Sequence, residues 1–158
     1  MTMNEQQAAD AMRAHHDEMA TTLRRRVAAL GAAVQARQGH LDQQRAVLEY
    51  LENDLLPHAM AEEKALYPAG DIGLTAMLVH AMRDEHRNLV SHVDALRHAS
   101  DAVQAVGLSS AILALFDSHL AKENDLLIPA LVVDEHANLV ELLGGMHELL
   151  GEDPSDHA

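Results

Sequence analysis

Cysteine and tryptophan are absent from this 158-residue chain. Without Cys there is no disulfide, no thiolate metal ligand and no cysteine nucleophile, a composition that suits a reducing compartment. Aromatic residues make up 2% of the chain, too few for a typical sandwich or barrel. Positive charge is scarce: 11 Lys and Arg face 25 Asp and Glu, a net charge of −14 with His neutral. Such a chain repels phosphate backbones and anionic headgroups, so neither nucleic acid nor a membrane surface is an expected partner. Long apolar runs are missing too. The longest uncharged stretch, Ala102 to Phe116, is shorter than the ~20 residues of a spanning helix, and Gly107, Ser109 and Ser110 interrupt it. The first residues carry Glu5, Asp10, Arg13, Asp17 and Glu18, which the apolar region of a signal peptide would not tolerate. The expectation is a soluble, cytoplasmic protein.

Helix formers are plentiful, with Ala, Leu, Glu, Gln, Met and Arg dominating. The 12 His direct attention to metal or proton chemistry. Breaks fall at Gly39, at the segment Pro68 to Gly73, and at Gly107, with Ser109 or Ser110 as the next N-cap. They predict helices over 4–37, 41–67, 74–104 and 109–128. Each helix has a stripe with steps of three or four residues. The first is Met12, His16, Met19, Leu23, Val27, Leu30; the second Leu48, Leu51, Leu55, His58, Glu62, Ala65. The third is Val79, Met82, His86, Leu89, Val93, Leu96; the fourth Ile112, Leu115, His119, Glu123, Leu126. Long amphipathic helices with short connections favour antiparallel neighbours, so the expected fold is an all-α, up-down four-helix bundle over 1–130. Residues 131–158 form a helical extension with an acidic end. That extension can lengthen the fourth helix past Pro129, cover the bundle end or support a homodimer.

Six titratable residues occupy stripe positions that should be apolar: His16, His58, Glu62, His86, His119 and Glu123. Each buried polar group without a partner costs roughly 1–3 kcal/mol, and more when charged. A metal centre would satisfy all six together. Their depths agree for the first two helices, because His16 precedes Gly39 by about as many residues as His58 and Glu62 follow it.

An internal repeat selects the same positions. Residues 13–19, RAHHDEM, align with 83–89, RDEHRNL, placing His16 on His86. Residues 58–69, HAMAEEKALYPA, align with 119–130, HLAKENDLLIPA, with identity at five of twelve positions. The chain therefore reads as two helical hairpins, each contributing a His and then an H-x-x-x-E on one helical face. A lone H-x-x-x-E is weak. Two copies, each ending in Pro and each accompanied by a further His, are strong.

This pattern resembles the hemerythrin family, specifically its HHE cation-binding branch, over about residues 10–130. The resemblance implies a bundle enclosing two non-haem irons joined by an oxo or hydroxo bridge. His16, His58, His86 and His119 would be imidazole ligands, and Glu62 and Glu123 would bridge or cap the pair. Manganese remains an option, since imidazole and carboxylate donors without sulfur suit either metal. The implied function is binding of dioxygen, nitric oxide or peroxide. Iron storage or donation, or ferroxidase or catalase-like turnover, is the alternative at the same centre. One departure stands out. Oxygen-carrying hemerythrins place two His four residues apart on the third helix, where this chain has Met82 and Val90 around His86. The fifth imidazole is missing unless His15 supplies it. About two positions would then stay open, a site suited to turnover or iron exchange more than to reversible oxygen carriage.

Several neighbours have two readings. Glu63 is either an acceptor that orients an imidazole or a solvated charge, and Asn124 at its repeat position favours the second. Pro57 either aims His58 inward or is a tolerated kink. Met12, Met19, Met82 and Phe116 either wall a ligand pocket or pack the core. Tyr50 and Tyr67 are either redox-active or structural. His40, His80, His92, His98, His136, His147 and His157 are expected at the surface.

Overall fold

The computed structural model describes residues 3–151, and the segments described are helical or connecting. Helix α1 is Glu5–Gln35. Helix α2 spans 41–70, α3 is Ala76–Arg97, α4 runs over Ala102–Val132 and α5 is Leu139–Leu150. The first four form the expected antiparallel bundle, with α5 packed alongside α1 and α2 over one half of it. Asn4 caps α1: its side chain accepts from the Gln7 amide while the Gln7 side chain returns to the Asn4 N–H. The chain reverses after α1 at Arg37, which adopts a left-handed φ of 55.

The expected boundary between the third and fourth helices was misplaced. α3 stops at Arg97, not 104, and α4 starts at Ala102, not 109. The cap is Asp101, whose carboxylate accepts from the Gln104 amide at 2.9 Å. Neither Ser109 nor Ser110 caps a helix, and Gly107 lies in the helix interior, where a single glycine costs only about 1 kcal/mol. Buried Gln44 donates to the carbonyls of Leu96 and Ala99, satisfying the end of α3. α2 also runs three residues past its expected end. Gly70 allows close approach there: a Cβ would lie 2.7 Å from the Leu127 side chain, which would have to shift.

α2 and α4 are interrupted by three π turns, at Leu51–Leu55, Glu62–Leu66 and Glu123–Leu127. Each is followed by a residue and then a proline: Leu56-Pro57, Tyr67-Pro68 and Ile128-Pro129. Proline has no N–H and its ring crowds the carbonyl four residues back. The turn widens, and the residue before each proline donates five positions back, to Leu51, Glu62 and Glu123. Two of the three wide turns open on the glutamates of the H-x-x-x-E motifs.

The core has three layers. One apolar cluster gathers Met19, Leu23, Leu51, Leu55, Leu89, Val93, Ile112 and Phe116. The other gathers Met12, Leu66, Tyr67, Met82, Leu127 and Ile128, with Leu139, Leu143 and Met146 of α5. Every bundle helix passes from one cluster to the other through its His or His/Glu pair, as in Met12–His16–Met19 and Phe116–His119–Glu123–Leu127. The methionines and Phe116 therefore pack the core directly above and below the polar layer. The extension lengthens α4 beyond Pro129, and its last helix packs on α1 and α2 beside the second cluster. α4 is long and apolar enough to cross a membrane by length and composition, but its His119 and Glu123 are buried in the bundle.

Candidate metal centre

Helical spacing stacks His58 over Glu62 on α2 and His119 over Glu123 on α4, while α1 and α3 each present one imidazole at the same depth. All six residues are buried, none more than 5% exposed. Their Nε2 and carboxylate atoms converge. His16 and His58 are 3.3 Å apart at Nε2, and His86 and His119 are 3.1 Å apart. Glu62 Oε1 lies 2.8 Å from His58 and 3.3 Å from His16, while its Oε2 lies 3.5 Å from His86. Glu123 Oε2 is 3.7 Å from His16, and its Oε1 is 3.5 Å from His119. Each glutamate thus offers one oxygen to each imidazole pair. His16, His58 and Glu62 have ligand atoms all within 4.8 Å of one another, and so do Glu62, His86 and His119.

Proximity here is not the same as hydrogen bonding. Glu62 Oε1 and Glu123 Oε2 are sealed from water and have no well-directed hydrogen-bond partner. Orphaned carboxylate oxygens at this depth are expensive. Four imidazole nitrogens crowding two carboxylates, each with one oxygen left unbonded, fit a shared hard or intermediate cation.

The far sides of the rings carry the positioning. His16 Nδ1 donates to Asn124 Oδ1 at 2.7 Å, His86 Nδ1 to Glu63 at 2.9 Å, and His119 Nδ1 to Glu85 at 2.9 Å. With Nδ1 as donor, Nε2 is the nitrogen left to face a cation. Lys122 Nζ lies 2.5 Å from Glu85, and although burial pushes the Glu85 carboxyl up, Lys122 and His119 hold it below its ordinary range. His58 Nδ1 is buried without a partner, and the half-buried His15 tilts against the His58 ring at 5.0 Å between centroids. His15 is not part of either close ligand group.

Tyr67 completes the polar layer. It is fully buried and donates to Glu123 Oε1 at 2.7 Å, with its hydroxyl 3.3 and 3.2 Å from the Nε2 atoms of His86 and His119. Burial, then the charges of Glu62 and Glu123, hold this phenol protonated far above its usual range. Burial lowers the pKa of His16, but Glu62 and Glu123 outweigh it and bring it to about 9. His119 follows the same pattern, also to about 9, through Glu123 and Glu62. Burial pushes the Glu62 carboxyl up, yet His58 and His16 pull it well below the ordinary range.

The six stripe residues are therefore brought together as expected. Glu63, Asn124, Glu85 and Tyr67 were missed as members of the site, and Glu63 is an imidazole acceptor after all. Tyr50 lies apart and donates to the Met19 carbonyl. Of the remaining His, His80, His98 and His136 are exposed, whereas His40, His92 and His147 are half-buried. His157 lies outside the described residues.

The family model of the hemerythrin HHE cation binding domain matches residues 7–76 and again residues 77–157. No curated protein and no solved structure matches the chain.

Proposed function

The chain belongs to the hemerythrin HHE cation-binding family, and on that footing we propose that it is a non-haem diiron protein binding dioxygen, nitric oxide or peroxide in the cytoplasm. The observation that carries this reading is the division of both glutamates between two imidazole pairs. Two pairs joined by two acids match two cations better than one. Iron would supply one-electron redox chemistry and open positions for a small ligand.

The protein does the rest. His16 and His58 would hold one cation and His86 and His119 the other, with Glu62 and Glu123 able to offer an oxygen to each. Asn124, Glu63 and Glu85 fix the orientation of their imidazoles. Tyr67 keeps a proton on its hydroxyl and donates it in a hydrogen bond to Glu123 Oε1, fixing that carboxylate. The apolar clusters above and below exclude water, which strengthens every electrostatic contact between them.

The unpartnered His58 Nδ1 favours a second reading, iron storage or donation, since an imidazole without an outer acceptor is a weaker ligand. Anaerobic ferrous reconstitution followed by separate additions of dioxygen, nitric oxide and peroxide distinguishes the two. A ligand-binding protein gives stable visible adducts with the iron retained. A donor gives up iron to a mild chelator and shows no lasting adduct.

A further inference from the structure

The repeat that builds the polar layer breaks down one step outside it. Aligning 58–69 with 119–130 pairs Glu63 with Asn124 and Tyr67 with Ile128; aligning 13–19 with 83–89 pairs Glu85 with His15. In all three pairs the acid or phenol serves the same half of the cluster. Glu63 accepts from His86, Glu85 accepts from His119, and the Tyr67 hydroxyl lies beside the Nε2 atoms of both. On the other half, His16 meets the neutral amide of Asn124, and His58 Nδ1 has no hydrogen-bond partner. Glu62 and Glu123 reach both halves, so they do not discriminate between them.

Resting on the dinuclear reading above, we infer that the two cation positions are unequal. The position between His86 and His119 fills first and binds tightly. The position between His16 and His58 fills second and exchanges. An imidazole whose N–H donates to a carboxylate is a stronger base in a fixed orientation, and losing such a partner typically weakens metal binding about 10–100-fold. Two such acids on one half, against an amide and an unpartnered nitrogen on the other, set the order of filling. Lys122 Nζ, 2.5 Å from Glu85, anchors that acid beside His119.

The test is an anaerobic titration of the metal-free full-length protein with Co(II), followed by calorimetry and visible ligand-field absorption. Two ions per chain should bind in steps about 10-fold or more apart. Glu63→Gln with Glu85→Gln keeps the shape and removes both charges. It should weaken the first step about 10-fold or more and leave the second nearly unchanged. Asn124→Asp should strengthen the second step alone. Circular dichroism of each variant checks that the bundle is intact. Two indistinguishable steps in the unaltered protein, or a double variant that weakens both steps equally, overturn the inference while the dinuclear reading stands. Fewer than two ions at saturation overturns both.

Discussion

Burial by itself would leave His16 and His119 neutral. The buried glutamates beside them prevail, and both rings titrate near 9 in the metal-free fold. An unfolded His titrates near about 6.5, so the fold holds protons that the unfolded chain has released. This contribution is complete below about pH 6.5 and is lost as pH rises through 9. Chelator-treated protein should therefore melt at progressively lower temperature from about pH 7 to 10; a level midpoint contradicts the assignment. Glu62 works in the opposite direction, its contribution present above the ordinary Glu range and lost on acidification. Cations must displace the His protons, so metal affinity should rise between about pH 6 and 8, as direct titration would show. The six inward residues were legible because helical period and repeat both marked them. Glu63, Glu85 and Asn124 were not, since each sits one residue off the stripe and reaches a His on a different helix. Tyr67 was hidden for another reason. Five residues beyond Glu62, it would point about 140° away in a regular helix, and the π turn brings it back to the polar layer.

Proline placement shapes the elements. Pro68 and Pro129 each force a wide turn that opens on a site glutamate. Pro68→Ala with Pro129→Ala should let these turns relax towards regular helix. Metal affinity should then fall, with far-ultraviolet circular dichroism little changed. The third and fourth helices divide at Asp101, not at Gly107. The D-x-x-Q of Asp101 and Gln104 is an N-cap signal, but a glycine followed by two serines imitates a helix break more visibly. The two positions make opposite tests. Asp101→Ala should cost about 1 kcal/mol by denaturant unfolding. Gly107→Ala, with nothing within 4 Å of the added carbon, should stabilise by up to about 1 kcal/mol. A loss at position 107 would place a helix end there.

At the scale of the whole molecule, a polar layer lies between two apolar cores, and the last helix belongs to only one of them. The bundle was legible from the stripes alone. The docking of α5 was not, because an apolar stripe does not say whether its own chain or another covers it. Leu139 is fully buried against the bundle. Leu139→Ala should destabilise by about 2–5 kcal/mol in chemical denaturation without changing metal stoichiometry. Such a result would separate the core beneath α5 from the layer that holds the cations. That layer exists in this account because cations bind its acids and imidazoles together. Metal analysis of protein reconstituted anaerobically with excess ferrous iron, then desalted, decides the matter. Two irons per chain, reduced in both Glu62→Ala and His119→Ala, is the expected result. No retained iron, or the same iron content in all three proteins, would contradict it.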